Sequence, residues 1–342
     1  MSIEQLVQQV IKGLNPRQQD ILKERFGVGA GQEPETLAAI GKRHGITRER
    51  VRQIETGALK ALKEKIRSHK ECNDVLARSI KFLKGQGGIA EKEQLLKYQE
   101  GFLERANEQC LELLIAASGA FYLHQEDNHY RPFYYLDKKH FQSAQQFIDQ
   151  WVRFLRKHEK EAHQGKHDEL LKQFIRSQKA SPQFAKNALG ISKKIHTNPY
   201  GDTGLAEWPF INPTTIRDRI YLILKKQTAP LHFHIIAHTI NEQAFDEKKA
   251  LPATVHNELI KDERFILVGR GMYGLREQGF VAGTAREVIE RILKAQGPLA
   301  SNDVILAVQK ERFLKPNTIL VNLQNKLYFQ RLPDGRYHVQ EA

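Results

Sequence analysis

Apolar positions along this chain recur mostly three and four residues apart, the spacing of helices that bury one face. The N-terminal "MSIEQLVQQVIKGL" reads as a short amphipathic helix. Leu14-Asn15-Pro16-Arg17 opens the next: Asn15 caps it, Pro16 suits the first helical position, and Ile21, Leu22 and Phe26 point inward. A loop rich in Gly and Glu, "GVGAGQEPE", leads to "LAAIGKRH", which Thr36 caps. Gly45 then permits a tight turn before Thr47, the cap of a longer helix. At 100° per residue, Val51, Ile54, Ala58, Ala61 and Leu62 share its inward face. Glu49, Arg52, Gln53, Thr56 and Lys60 share the opposite face, flanked by Arg48 and Arg50. Two helices around a short glycine turn make a helix-turn-helix.

Arg48, Arg50 and Arg52 crowd the first turns of that second helix. The positive end of a helix macrodipole disfavours cations there by ~0.3–1 kcal/mol, so an anionic partner is expected. Arg is bidentate to guanine, Gln to adenine, and Glu accepts from cytosine, which gives Arg52, Gln53 and Glu49 base-reading chemistry. Arg48 and Arg50 suit phosphates, which position a helix without reading sequence. Thr47, Arg48, Glu49, Arg50, Arg52, Gln53 and Lys60 are therefore the candidate DNA-contacting residues. A solvated charged helix is the competing reading, and the cap and turn weigh against it.

The last third of the chain repeats itself. "TVHNELIKDERFILVGRGMYGL" (Thr254 to Leu275) and "TILVNLQNKLYFQRLPDGRYHV" (Thr318 to Val339) align at an offset of 64, pairing Thr254/Thr318, Leu259/Leu323, Phe265/Phe329, Gly271/Gly335 and Tyr273/Tyr337. Upstream, "ILKKQTAPL" echoes "ILKAQGPL". Each unit reads as helix, Pro-Leu step, helix, Thr-started helix and two-stranded hairpin, which is a winged helix. Looser versions occupy residues 76–137, with an aromatic hairpin, and 166–197. The expected fold is mainly α: a helix-turn-helix over 1–75, then several winged-helix modules with small β-hairpin wings. The modules are 76–137, a helical or helix-turn-helix module with a Trp-Pro loop over 166–213, 214–277 and 283–342. Residues 138–165 are a basic amphipathic connector, with one long helix over 139–165 whose Phe141, Ala144, Ile148, Trp151 and Leu155 face inward.

The 342 residues suit two to four modules, and their net charge of +13 points to an anionic partner. The excess is +4 over 1–75, −2 over 76–137, +8 over 138–200 and +3 over 201–342, so it belongs mainly to the first module and the central segment. Two cysteines, Cys72 and Cys110, are too few for a disulfide framework or zinc module and fit a reducing cytoplasm. The apolar runs are too short for a bilayer, and the start lacks the pattern of a signal peptide. A cytoplasmic, nucleoid-associated protein without membrane contact or small-molecule substrate is expected.

"LNPRQQDILKERFG", "TLAAIGKRHGITRERVRQIE" and "ALKALKE" resemble region 4 of housekeeping-type bacterial sigma factors, the domain that binds the promoter −35 element and the polymerase flap. The resemblance covers about residues 13–68. It implies that Arg48, Glu49, Arg52 and Gln53 face the −35 bases, that Arg50 lies near the backbone, and that core RNA polymerase is a partner. Gly57 departs from it, standing where the family usually has a basic residue. In the family this domain follows an aromatic-rich region that opens the −10 element, and no later segment here resembles that region. Residues 214–277 resemble the HARE-HTH domain through "PLHFHIIAHTI" and the Thr254 to Leu275 segment; "NPYGDTGLAEWPFINP" looks like a lead-in found with it. That family includes a polymerase delta subunit and occurs fused to nucleases and chromatin proteins.

Two further signals carry little. "GRGMYG" (Gly269 to Gly274) matches G-x-G-x-x-G, but no helix follows to hold a phosphate. His232, His234 and His238 lack a Cys or carboxylate at ligand spacing, so no metal or other cofactor is expected. The reading is a non-enzymatic, sigma-like DNA-binding transcription factor without the −10 melting region. Its rivals are an architectural or repressor-type protein of tandem winged helices that ignores polymerase, and a nuclease-associated component. The last is disfavoured because the sequence has no P-loop, H-E-x-x-H or carboxylate-and-lysine nuclease core.

Overall fold

The computed structural model describes residues 2–29, 31–102, 107–227, 229–243, 245–246 and 248–340. Those residues are mostly helical, with 17 α-helices and four small sheets. They divide into two compact units, 1–196 with 202–206, and 197–201 with 207–342.

The first unit begins with α1 (Ile3–Ile11), α2 (Pro16–Phe26), α3 (Leu37–Arg43) and α4 (Arg48–Ser68). Ser2 and Asn15 each close a capping box, and the Thr36 and Thr47 hydroxyls cap α3 and α4. Local side-chain acceptors thus satisfy amides that an uncapped start would leave open. A small core of Ile21, Ile40 and Val51, lined by Leu37, Ile46 and Ile54, holds α2, α3 and the start of α4 together.

Next come α5 (Lys70–Gly85), β1 (Ile89–Glu91), α6 (Lys92–Glu100), α7 (Glu108–Ser118), β2 (Tyr122–His124) and β3 (Phe133–Tyr135). The strands form an antiparallel sheet of order β1-β3-β2, in which Ile89 pairs with Tyr135. One continuous core joins this group to the N-terminal helices: Ile3, Val7, Val10, Leu62 and Ile66 share it with Leu111, Leu114, Phe121 and Tyr134. Cys72 and Cys110 lie buried in it as free thiols, and burial pushes them up to about 11 and about 12.

The unit continues with α8 (Lys138–Lys157), α9 (Glu159–His163), α10 (His167–Ser177), α11 (Pro182–Ile191), β4 (Ile195–Thr197) and β5 (Thr203–Leu205). The single helix expected over 139–165 is two. His158 leaves helical geometry at φ −114° and ψ 29°, its ring against Phe154 and its Nδ1 3.4 Å from Glu161. Of the five residues expected to face inward, Ala144, Ile148, Trp151 and Leu155 are buried and Phe141 is half-buried. Phe174 of α10 closes that face, 5.0–5.3 Å from Phe147, Trp151 and Phe154.

In the second unit the order is α12 (Ile216–Lys226), β6 (Leu231–His232), α13 (Phe233–Glu242), α14 (Pro252–Lys261), β7 (Phe265–Gly269) and β8 (Met272–Leu275). Then follow α15 (Ala285–Gln296), α16 (Ser301–Glu311), α17 (Pro316–Leu323), β9 (Phe329–Arg331) and β10 (Tyr337–Val339). The third helix of each set starts not at Thr254 or Thr318 but two residues earlier. Pro252 and Pro316 take the first turn, where a missing N–H costs nothing. Gly271 and Gly335 both turn at positive φ, 70° and 86°. The Pro-Leu steps are strand positions: Leu231 pairs with Tyr273 in a β6-β8-β7 sheet, and Leu299 bridges Tyr337. Arg312, buried, donates to the carbonyls of Leu267, Val281 and Gly283 and so ties the two sets. Among the described residues no helix is long and apolar enough to cross a membrane.

Candidate nucleic-acid interface

Two glycines shape the turn ahead of α4. Gly45 sits at φ 63°, where a side chain would be strained. The carbonyl of Gly41, buried inside α3, accepts from Ile46 N–H at 2.9 Å, and a β-carbon on Gly41 would stand 2.7 Å from the Ile46 carbonyl. Sequence reasoning credited Gly45 alone. Gly41 was missed because a glycine within a helix pattern gives no local sign of what approaches it.

Behind the turn, a network of charges fastens the elements. Arg43 Nη2 lies 2.6 Å from Glu35 and Nη1 3.3 Å from Glu24, and His44 Nε2 is 3.1 Å from Glu24. Arg25 reaches Glu55 of α4 at 3.3 Å and donates to the Glu35 carbonyl at 2.8 Å. Hydrogen bonds donated to Glu35 and Glu24 raise the Arg43 pKa. These cations are occupied in holding the fold.

The seven candidate residues differ from them: all are exposed. The Thr47 hydroxyl oxygen accepts from Arg50 N–H at 3.2 Å, so Thr47 fixes the helix start. Arg52 grips Glu49 with two prongs, Nη2 to Oε1 at 2.7 Å and Nε to Oε2 at 2.9 Å. Its hydrogen bonds hold the Glu49 carboxyl below the usual carboxylate range. Arg50 Nη1 donates to Gln53 Oε1 at 3.1 Å. Exposed contacts of this kind contribute little, and a base edge or phosphate can replace them cheaply. Among the described residues, Arg48, Arg50 and Lys60 form no ion pair. The arrangement offers forked donors, an amide and a carboxylate on one capped helix start, the set that reads base edges in a major groove.

Gly57 continues the same exposed side one turn after Gln53, and a β-carbon there would meet nothing within 4 Å. Gly57→Ala should therefore stabilise the chain by about 0.5–1 kcal/mol, read as a higher midpoint in urea. A lower midpoint would mean that the position is crowded.

Residues 10–64 match the family Sigma-70, region 4. The relatives agree. The RNA polymerase principal sigma factor HrdD of Streptomyces coelicolor is 51% identical over 55 residues, 16% of this chain and 16% of its own. The RNA polymerase sigma factor SigA of Clostridium acetobutylicum is 43% identical over 67 residues, 20% of this chain and 17% of its own. RpoD of Neisseria gonorrhoeae is 36% identical over 67 residues, 20% and 10% of the two chains. The chain thus spans less than a fifth of the length of these relatives. The region 4 segment runs from the end of α1 into α4 and contains all seven candidate residues.

Proposed function

We propose that this chain is a non-enzymatic, sigma-like transcription factor that reads −35-like promoter DNA with α4 and contacts core RNA polymerase. The observation that carries the reading is the exposed Thr47–Lys60 side of α4, lying within the segment that resembles sigma factors. Arg52, Gln53 and Glu49 read bases, Arg48, Arg50 and Lys60 meet phosphates, and Thr47 sets the register of the helix.

Three later groups of elements, α5 to β3, α12 to β8 and α15 to β10, are winged helices. They share the order helix, short strand or bridge, helix, helix, hairpin, and in each the short strand or bridge meets a tyrosine on the returning strand: Ile89–Tyr135, Leu231–Tyr273 and Leu299–Tyr337. This recurrence supports the winged-helix reading, and the sequence of residues 214–277 supports HARE-HTH kinship for that member. These modules add DNA or polymerase contacts.

With about six phosphates engaged, log K for a −35-like duplex should fall against log salt with a slope near −5. Fluorescence anisotropy titrations between low and moderate salt measure it. A slope near zero contradicts the reading.

A further inference from the structure

The β2–β3 hairpin carries an unusual surface. On β2 and β3, Leu123 pairs with Tyr134 and both turn toward the core that α7 shares. The alternate residues, Tyr122, His124, Phe133 and Tyr135, therefore occupy the opposite face. Phe141 from the first turn of α8 joins them. Tyr122 stacks on Tyr135 with centroids 5.4 Å apart, and Tyr135 meets Phe141 at 5.3 Å. His124, Tyr130 and Phe133 complete the cluster around Phe141, at 5.2, 5.7 and 5.5 Å.

Packing α8 onto the sheet explains part of this, since Phe133 is fully buried. It does not explain Tyr122. That residue stands on the edge strand, is 47% exposed, and among the described residues has Tyr135 as its only ring partner. Tyr135 and Phe141 are only half-buried. Three carboxylates near the hairpin each have a basic partner. Glu126 is paired with Lys193 at 2.6 Å, Asp127 with His124 at 3.0 Å, and Asp137 with His140 at 2.8 Å. Lys138 and Lys139, between Tyr135 and Phe141 in the chain, are exposed and form no ion pair among the described residues.

An exposed ring on an edge strand, with two exposed lysines close to Tyr135 in the chain, matches the chemistry of unpaired bases on a phosphate backbone. A duplex matches poorly, because its base faces are already covered by stacking. We propose that this face binds single-stranded DNA, with bases stacking on Tyr122 and Tyr135 and phosphates meeting Lys138 and Lys139. The inference does not rest on α4, which reads duplex.

The full-length chain is titrated against a fluorescein-labelled 20-nucleotide single strand and against the same sequence as duplex. Tyr122→Ala should weaken the single strand roughly tenfold and leave the duplex unchanged, while Tyr122→Phe, which keeps the ring, should bind like the parent. Removing both Lys138 and Lys139 should flatten the single-strand salt slope by about 1.4. Arg52→Ala should show the reverse pattern, losing duplex only, so failure here and failure of the −35 reading are separable. Single-strand affinity unchanged in Tyr122→Ala overturns the proposal. So does an equal loss on both probes, or a parent chain that ignores the single strand, which would leave a surface for protein contact.

Discussion

Arg52→Ala is expected to weaken binding to a −35-like duplex roughly 10- to 100-fold, and to do so at particular base pairs rather than uniformly. The side chain is exposed and its partner in the free protein is Glu49, so removing it opens no cavity and breaks no core packing. The folded chain should melt as the parent does. The loss falls on recognition, because a bidentate guanidinium distinguishes one base pair from the others. Arg50→Ala is the control: with Arg50 proposed to meet phosphate, its removal should weaken all sequences alike and flatten the salt slope by about 1. Titrating both variants against duplexes that differ at single base pairs separates the two. A uniform loss in Arg52→Ala would contradict base readout by this side chain.

The largest effect on stability is expected from Leu62→Ala. Leu62 is fully buried where α4 shares a core with α1, α5 and α7, and truncating a leucine in such a site costs about 2–5 kcal/mol. Urea unfolding followed by circular dichroism measures it. Core packing holds α4 along its length: its first turns by Val51 with Ile21 and Ile40, and its last by Leu62 and Ile66. A cost below about 1 kcal/mol would contradict a shared core. The continuity also has a practical consequence. Cutting the chain near residue 75 would divide α5 and uncover Leu111 and Leu114, so point substitutions are the sounder way to probe the first helices.

Much of the helix-turn-helix was legible because its signals are local. Asn15, Thr36 and Thr47 cap the helices they precede, and the 100° wheel separated buried Val51, Ala58 and Leu62 from exposed Glu49, Arg52 and Gln53. What was missed depends on partners distant in the chain. The Pro-Leu steps look like loop punctuation until Tyr273 and Tyr337 return to pair with them. The roles of Arg25 and Arg43 are likewise visible only in the folded chain, which brings Glu24, Glu35 and Glu55 beside them. The break at His158 has no Pro or Gly to announce it. Gly41 likewise becomes meaningful only once Ile46 is seen against it.

Association with core RNA polymerase tests the sigma-like account most directly. Tagged full-length chain and purified core polymerase, without DNA, are run together through size-exclusion chromatography, alongside the Arg52→Ala variant. The account predicts co-elution of both chains with polymerase, because Arg52 is assigned to bases rather than to protein. Elution of the parent chain apart from polymerase would contradict it and leave a DNA binder that acts without the enzyme.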